Sequence, residues 1–135
     1  MVLPSEIILA SKSPRRKKIL EIIGLNFIIR PSNINEQSNL DICPENFAMY
    51  WSKKKAESIA NSYNDNLIIG ADTIVNLNGN ILGKPKDKEE SYAMLKSLSG
   101  KTHEVITGIT IMHKKMKILK TFSAITKVSV RNIPD

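Results

Sequence analysis

The chain has 135 residues, of which 41% are apolar and 24% charged, and its net charge is +7. That length and mixture suit one globular domain with its own core and exclude a disordered chain. A single cysteine, Cys43, excludes an internal disulfide and, with no Cys/His spacing around it, a structural zinc site; a reducing cytoplasm is the expected location.

Glu6 to Ala10 reads as a short buried strand, and its apolar run is too short for a signal sequence or a membrane span. Ser13-Pro14 then opens a helix, with Ser as N-cap and Pro at the first helical position. Ile19, Leu20 and Ile23 supply its apolar face, and Gly24 closes it. Phe27 to Ile29 is a second strand, and Asn33 to Asp41 is polar loop. Pro44 starts a longer helix to about Ser62, with Phe47, Trp51, Ala56 and Ile59 facing inward. Leu67 to Ile69 is a strand, and Ile74 to Leu82 a hairpin turned at Asn78-Gly79, a pair that suits a type I′ turn. Asp87 caps a third helix that turns Tyr92, Leu95 and Leu98 to the core and ends at Gly100. Alternation after His103 predicts two further strands, one with Val105, Thr107, Ile109 and Ile111 on a face, the next with Phe122 to Val130. The order β-α-β-α-β-β-α-β-β predicts an α/β fold, a mixed twisted sheet flanked by helices, in a single domain over residues 1–135.

The positive charge is uneven. Nine basic and eight acidic side chains precede residue 81, and eleven and five follow it. Such an excess suits an anionic partner or simply a solvated surface.

Four places carry chemistry. At Ser11-Lys12-Ser13-Pro14-Arg15-Arg16 a helix begins with two cations in its first turn. Cations there oppose the helix dipole by roughly 0.3–1 kcal/mol each. A bound phosphate would reverse that penalty, since it suits both the N–H groups and the guanidinium forks; otherwise the patch is solvated. At Gly70-Ala71-Asp72-Thr73 one carboxylate stands between apolar runs, beside small residues that let a ligand approach. A partly buried carboxylate must be paired, protonated or metal-bound, and a strand-end cap or a bridge to lysine is the plainer alternative. Lys84, in Gly83-Lys84-Pro85, can act as a point charge on phosphate or stand as a surface lysine; Gly79-x-x-x-Gly83-Lys84 falls short of a P-loop in spacing and lacks its hydroxyl. Lys55 interrupts the stripe Phe47, Trp51, Ile59, so its ammonium extends to a cleft or to solvent. His103 and His113, without Cys or Ser partners, read as structural.

In order and spacing, Leu9-Ala10-Ser11-x-Ser13-Pro14-Arg15-Arg16, Gly70-Ala71-Asp72-Thr73, Gly83-Lys84-Pro85 and Met94-Leu95-x-x-Leu98-Ser99-Gly100-x-x-His103-x-Val105-x-Thr107 resemble the Maf family of nucleoside triphosphate pyrophosphatases, the septum formation proteins. The resemblance runs from about Ile7 to Val130 and implies a fold like that of the family and of inosine triphosphatases. It implies hydrolysis of a nucleoside triphosphate to the monophosphate and pyrophosphate. Asp72 matches the water-activating aspartate. Ser11, Arg16, Lys55 and Lys84 match residues lining the phosphates, and Glu36 an acidic residue associated with a divalent metal, Mg²⁺ or Mn²⁺, shared with Asp72. Arg15 and Thr73 resemble the members acting on dTTP and UTP, where a sister group acting on 7-methyl-GTP tends to have Trp and Gln. Family members continue past the position of Asp135, so a chain shortened at that side is expected.

The substrate partner so implied is a nucleoside triphosphate; a homodimer stays open and no membrane partner is expected. Two other classes stand beside the enzyme. A non-catalytic nucleotide-binding or regulatory module would bind without releasing pyrophosphate. A nucleic-acid binder would use Lys114, Lys115, Lys117 and Lys120, but no recognition motif or aromatic stacking set accompanies them.

Overall fold

A computed structural model describes residues 6–32, 34, 42–82 and 87–132. The elements follow the expected order: β1 (Ile7–Ala10), α1 (Pro14–Ile23), β2 (Phe27–Ile29), α2 (Pro44–Ala60), β3 (Leu67–Leu77), β4 (Asn80–Leu82), α3 (Lys88–Leu98), β5 (Thr102–His113) and β6 (Ile118–Ser129). Local chemistry accounts for their ends. Ser13 accepts from the Arg16 N–H, Asp87 accepts from the Glu90 N–H, and Gly24 closes α1 at φ 88°. Asn78 and Gly79 both have positive φ, 52° and 90°, as a type I′ turn requires.

The six strands form one mixed sheet in the order β2-β1-β3-β5-β6, with β4 paired to β3. β1 runs parallel to β2 and β3, while β3-β5, β5-β6 and β3-β4 are antiparallel. From β1 the chain crosses through α1 to β2 on one side, then returns through α2 to β3 on the other. Right-handed crossovers in opposite directions put α1 and α2 on opposite faces. The carboxyl end of β1 is therefore a topological switch point, where open α/β sheets receive ligands.

Helix α2 packs across one face and builds both core clusters. Ile8, Ala10, Ala56, Ala60, Ile68 and Met112 form one, and Phe47, Ala48, Trp51, Ile74 and Ile106 the other. Its innermost ridge is Ala48, Ser52, Ala56 and Ala60, all wholly buried and spaced by four. The larger Phe47, Trp51 and Ile59 flank that ridge. Small residues on the sheet receive it: a Cβ on Gly108 would lie 2.2 Å from the Ala48 carbonyl oxygen, and one on Gly70 2.4 Å from that of Ser52.

A hydroxyl chain fastens the helix. The Ser52 hydroxyl donates to the Met49 carbonyl at 2.8 Å and lies 2.8 Å from Thr110 Oγ1, which is 3.1 Å from Thr121 Oγ1. With its own proton committed to a carbonyl, Ser52 accepts from Thr110, and Thr110 in turn accepts from Thr121. Ser52→Ala removes two bonds, the one to the Met49 carbonyl and the one from Thr110, but leaves Thr110 with Thr121. The expected loss is about 1–2 kcal/mol, or about 4–8 °C in a thermal melt; an unchanged melting temperature would show that the hydroxyl contributes nothing.

The structure corrects three expectations. Leu67 to Leu77 is one continuous strand rather than a strand followed by a separate hairpin arm, because β5 pairs with it from Ile68 to Asn76. Tyr92 and Leu95 do not face a core; they are 55% and 52% exposed, and Leu98 is the buried residue of α3. The same holds for α1, where Ile19 and Ile23 are exposed. Both helices have the apolar spacing of a packing face, but among the described residues Ile19 and Ile23 of α1 and Tyr92 and Leu95 of α3 stay largely uncovered. Among the described residues no helix is long and apolar enough to cross a membrane.

Candidate active site

β1 pairs with β3 only as far as Gly70, and β4 joins the same edge of β3 only from Val75 onward. Between them, Ala71 to Ile74 have β5 on one side and, among the described residues, no strand on the other. Alternate residues of such a stretch turn backbone N–H and C=O groups into the gap. The gap opens at the switch point, directly beyond the end of β1.

Asp72 and Thr73 occupy this gap and, being neighbours on a strand, point to opposite faces. Asp72 faces α2. It is 5% exposed, and its Oδ1 accepts from Lys55 Nζ at 2.9 Å. The residue directly across from it on β5 is Gly108. The missing side chain there lets the Ala48 turn of α2 come down onto the sheet, and the next turns carry Lys55 to the carboxylate. The lysine that interrupts the apolar stripe is thus directed inward, to an acidic partner.

Thr73 faces α1. Arg16 Nη2 donates to Thr73 Oγ1 at 2.7 Å, and Nη1 donates to the buried Ser11 Oγ at 3.2 Å. Ser11 Oγ also accepts from the Ser13 N–H at 3.0 Å, which fixes the short link between β1 and α1. No acidic side chain lies in the first turn of α1. Arg16, the helix N–H groups and the dipole therefore present positive potential together. Arg15 is exposed beside them.

Ser11, Arg16, Lys55, Asp72 and Thr73 are thus joined through one peptide of β3. Glu36 and Lys84 lie outside the described residues. Among the described residues no group of three or more His, Cys, Asp or Glu could hold a metal. Among the described residues the carboxylate at the gap is Asp72, paired with Lys55. One carboxylate is compatible with Mg²⁺, which keeps several waters and takes its remaining oxygens from substrate phosphates. His103 and His113 stand at opposite ends of β5, away from the gap. Both are buried, and His113 Nδ1 accepts from the Met116 N–H, closing the β5–β6 turn. Lys114 and Lys115 of that turn reach Asn61 and Asp65, so two of the four hairpin lysines tie it to the α2–β3 loop.

Two residues escaped the sequence reading. Thr107 pairs with Thr73 across the strands, and its Oγ1 lies 3.1 Å from Thr73 Oγ1. Gly108 gives α2 its close approach. In the sequence Thr107 stood in an alternating strand and in the family motif without a role at the site, and Gly108 was not singled out.

The fold is that of an α/β protein whose sheet is open at the switch point, with a lysine-paired carboxylate on one face and an arginine–hydroxyl cluster on the other. Solved structures share the architecture. The Ham1 protein of Staphylococcus aureus superposes with a TM-score of 0.61 at 18% identity, over 91% of this chain and 70% of that one. A HAM1 protein from Coxiella burnetii gives 0.59 at 14% identity, over 97% and 75%. At such identities the likeness is one of fold.

The chain belongs to the Maf-like protein family, whose sequence profile matches residues 6–135. A dTTP/UTP pyrophosphatase of Carboxydothermus hydrogenoformans is 46% identical over 91% of this chain and 66% of its own length. Another, of Pyrococcus furiosus, is 49% identical over 96% and 67%. The chain therefore spans about two thirds of the length of these curated relatives.

Proposed function

We propose that the protein is a nucleoside triphosphate pyrophosphatase that hydrolyses dTTP or UTP to the monophosphate and pyrophosphate. The observation that carries this reading is the junction on β3, where Asp72 with Lys55 and Thr73 with Arg16 meet in one gap of the sheet. Family membership and the names of the relatives support the reaction.

In this reading the triphosphate lies across the N-terminus of α1. Arg16, Arg15, Lys55 and Lys84 spread its charge, and Ser11 and Thr73 offer hydroxyls to its oxygens. Asp72 accepts a proton from the attacking water as that water's oxygen bonds to the α-phosphorus. The bond to the bridging oxygen of the β-phosphate then breaks, and pyrophosphate leaves. Asp72 and Glu36 would hold a divalent cation, which when bound supplies charge neutralisation to the phosphate oxygens. Positioning and preorganised positive charge supply most of the rate in such transfers.

A panel of nucleotides with Mg²⁺, Mn²⁺ or chelator, read as released pyrophosphate, tests the reading. The expected result is metal-dependent release, fastest with dTTP and UTP and abolished by chelator. Preference for a methylated guanine nucleotide would overturn the specificity assigned to Arg15 and Thr73. Tight nucleotide binding without release would instead mark a binding module.

A further inference from the structure

We propose that Thr107 is a positioning residue of the phosphate-binding cluster, holding the Thr73 hydroxyl so that it grips Arg16 and still offers a proton to the substrate. The inference rests on the pyrophosphatase reading for its substrate, but the geometry behind it is independent of the reaction.

A guanidinium has donors and no acceptor, so the 2.7 Å bond from Arg16 Nη2 uses one lone pair of Thr73 Oγ1. A hydroxyl has one more lone pair and one proton. Thr107 Oγ1, at 3.1 Å, can serve either of them, because a second hydroxyl is both donor and acceptor. With the crevice empty, Thr73 donates to Thr107. When a phosphate oxygen arrives and accepts the hydrogen bond of the Thr73 O–H, Thr107 reverses and donates to the second lone pair of Thr73. Thr73 then holds three partners at once: Arg16, Thr107 and the anion. No apolar side chain could make that exchange.

The surroundings leave the hydroxyl as the feature that matters at this position. Thr107 pairs with Thr73 on one side and with Ala124 on the other, both small. It lies on the sheet face opposite α2, so it is no part of the two core clusters under that helix. Valine has the same shape and an equal liking for strands, so Thr107→Val removes the hydroxyl and little else.

The test compares Thr107→Val and Thr107→Ser with the natural chain in two measurements. The first is the NMR spectrum of the Arg16 guanidinium, assigned with Arg16→Lys, in which a held guanidinium shows slow rotation and separate Nη signals. The second is dTTP hydrolysis. Thr107→Val is expected to collapse the separate Arg16 signals. It should raise KM about 3- to 10-fold, the range for one neutral hydrogen bond, with kcat within about twofold. Thr107→Ser should keep both properties of the natural chain. Unchanged Arg16 signals and KM in Thr107→Val would overturn the proposal, as would equal losses in both variants, which would make the methyl group the important part. If the natural chain releases no pyrophosphate at all, the pyrophosphatase reading falls. The Arg16 spectra, taken with and without inorganic pyrophosphate, would still decide the role of Thr107.

Discussion

Asp72→Asn should lower pyrophosphate release by about 10²- to 10⁴-fold, the usual contribution of a positioned general base. The substitution keeps the shape and one acceptor oxygen, so the amide can still bond Lys55 Nζ, which is 2.9 Å from the carboxylate in the natural chain. It removes the charge and the ability to take a proton from water. Stability should fall as well, because breaking a buried pair costs about 3–5 kcal/mol when a charge is stranded. Here the loss should sit at or below the lower end of that range, since the Lys55 side chain retains 17% exposure and some access to water. Turnover and thermal melts measured on the same preparation separate the two effects. Turnover equal to that of the natural chain, in protein folded at the assay temperature, would remove Asp72 from the mechanism.

Gly108→Ala should be strongly destabilising. An added Cβ would lie 2.2 Å from the Ala48 oxygen, 2.3 Å from the Ala48 carbonyl carbon and 2.6 Å from the Met49 nitrogen. These are backbone atoms of α2, so no side chain can swing aside, and the helix itself must lift. Overpacking of this kind costs about 3 kcal/mol or more, which corresponds to a fall of about 10 °C in melting temperature for a domain of this size. The lift also carries Lys55 away from Asp72, so activity should fall further than stability explains. Gly24→Ala is the control, because a Cβ there meets nothing within 4 Å and the strain of its positive φ is confined to a helix end. If Gly108→Ala melted within a degree or two of the natural chain, the close seating of α2 would not be what positions Lys55.

The order of the nine elements was legible in the sequence because their ends are local events. Ser13, Gly24, Asn78-Gly79 and Asp87 each act on backbone groups within a few residues, and each does so in the fold. The candidate site was legible in part. Ser11, Arg16, Lys55, Asp72 and Thr73 come together; for Arg16, Lys55 and Asp72 the signal was a conflict, a cation in a first helical turn, a lysine in an apolar stripe and a carboxylate between apolar runs, while Ser11 and Thr73 entered through the family resemblance. The innermost face of α2 was legible only at Ala56. Hydrophobic periodicity weighs large side chains, so it found Phe47 and Trp51, whereas the ridge nearest the sheet is Ala48, Ser52, Ala56 and Ala60. The apolar spacing of α1 and α3 misled in the opposite sense, because an amphipathic pattern states which face could pack and not whether anything lies against it.

Residue pattern alone determined the fold class and the caps and turns, since these follow from near neighbours along the chain, and it singled out the charged groups proposed for phosphate. Pairing between distant strands decided the rest. It made Gly70-Ala71-Asp72-Thr73 the middle of a long strand, left that stretch open beyond β1, and turned Asp72 to Lys55 and Thr73 to Arg16 and Thr107. A strand's two faces alternate by necessity, but which helix waits on each face is set by the direction of the crossovers, and no window of the sequence contains that.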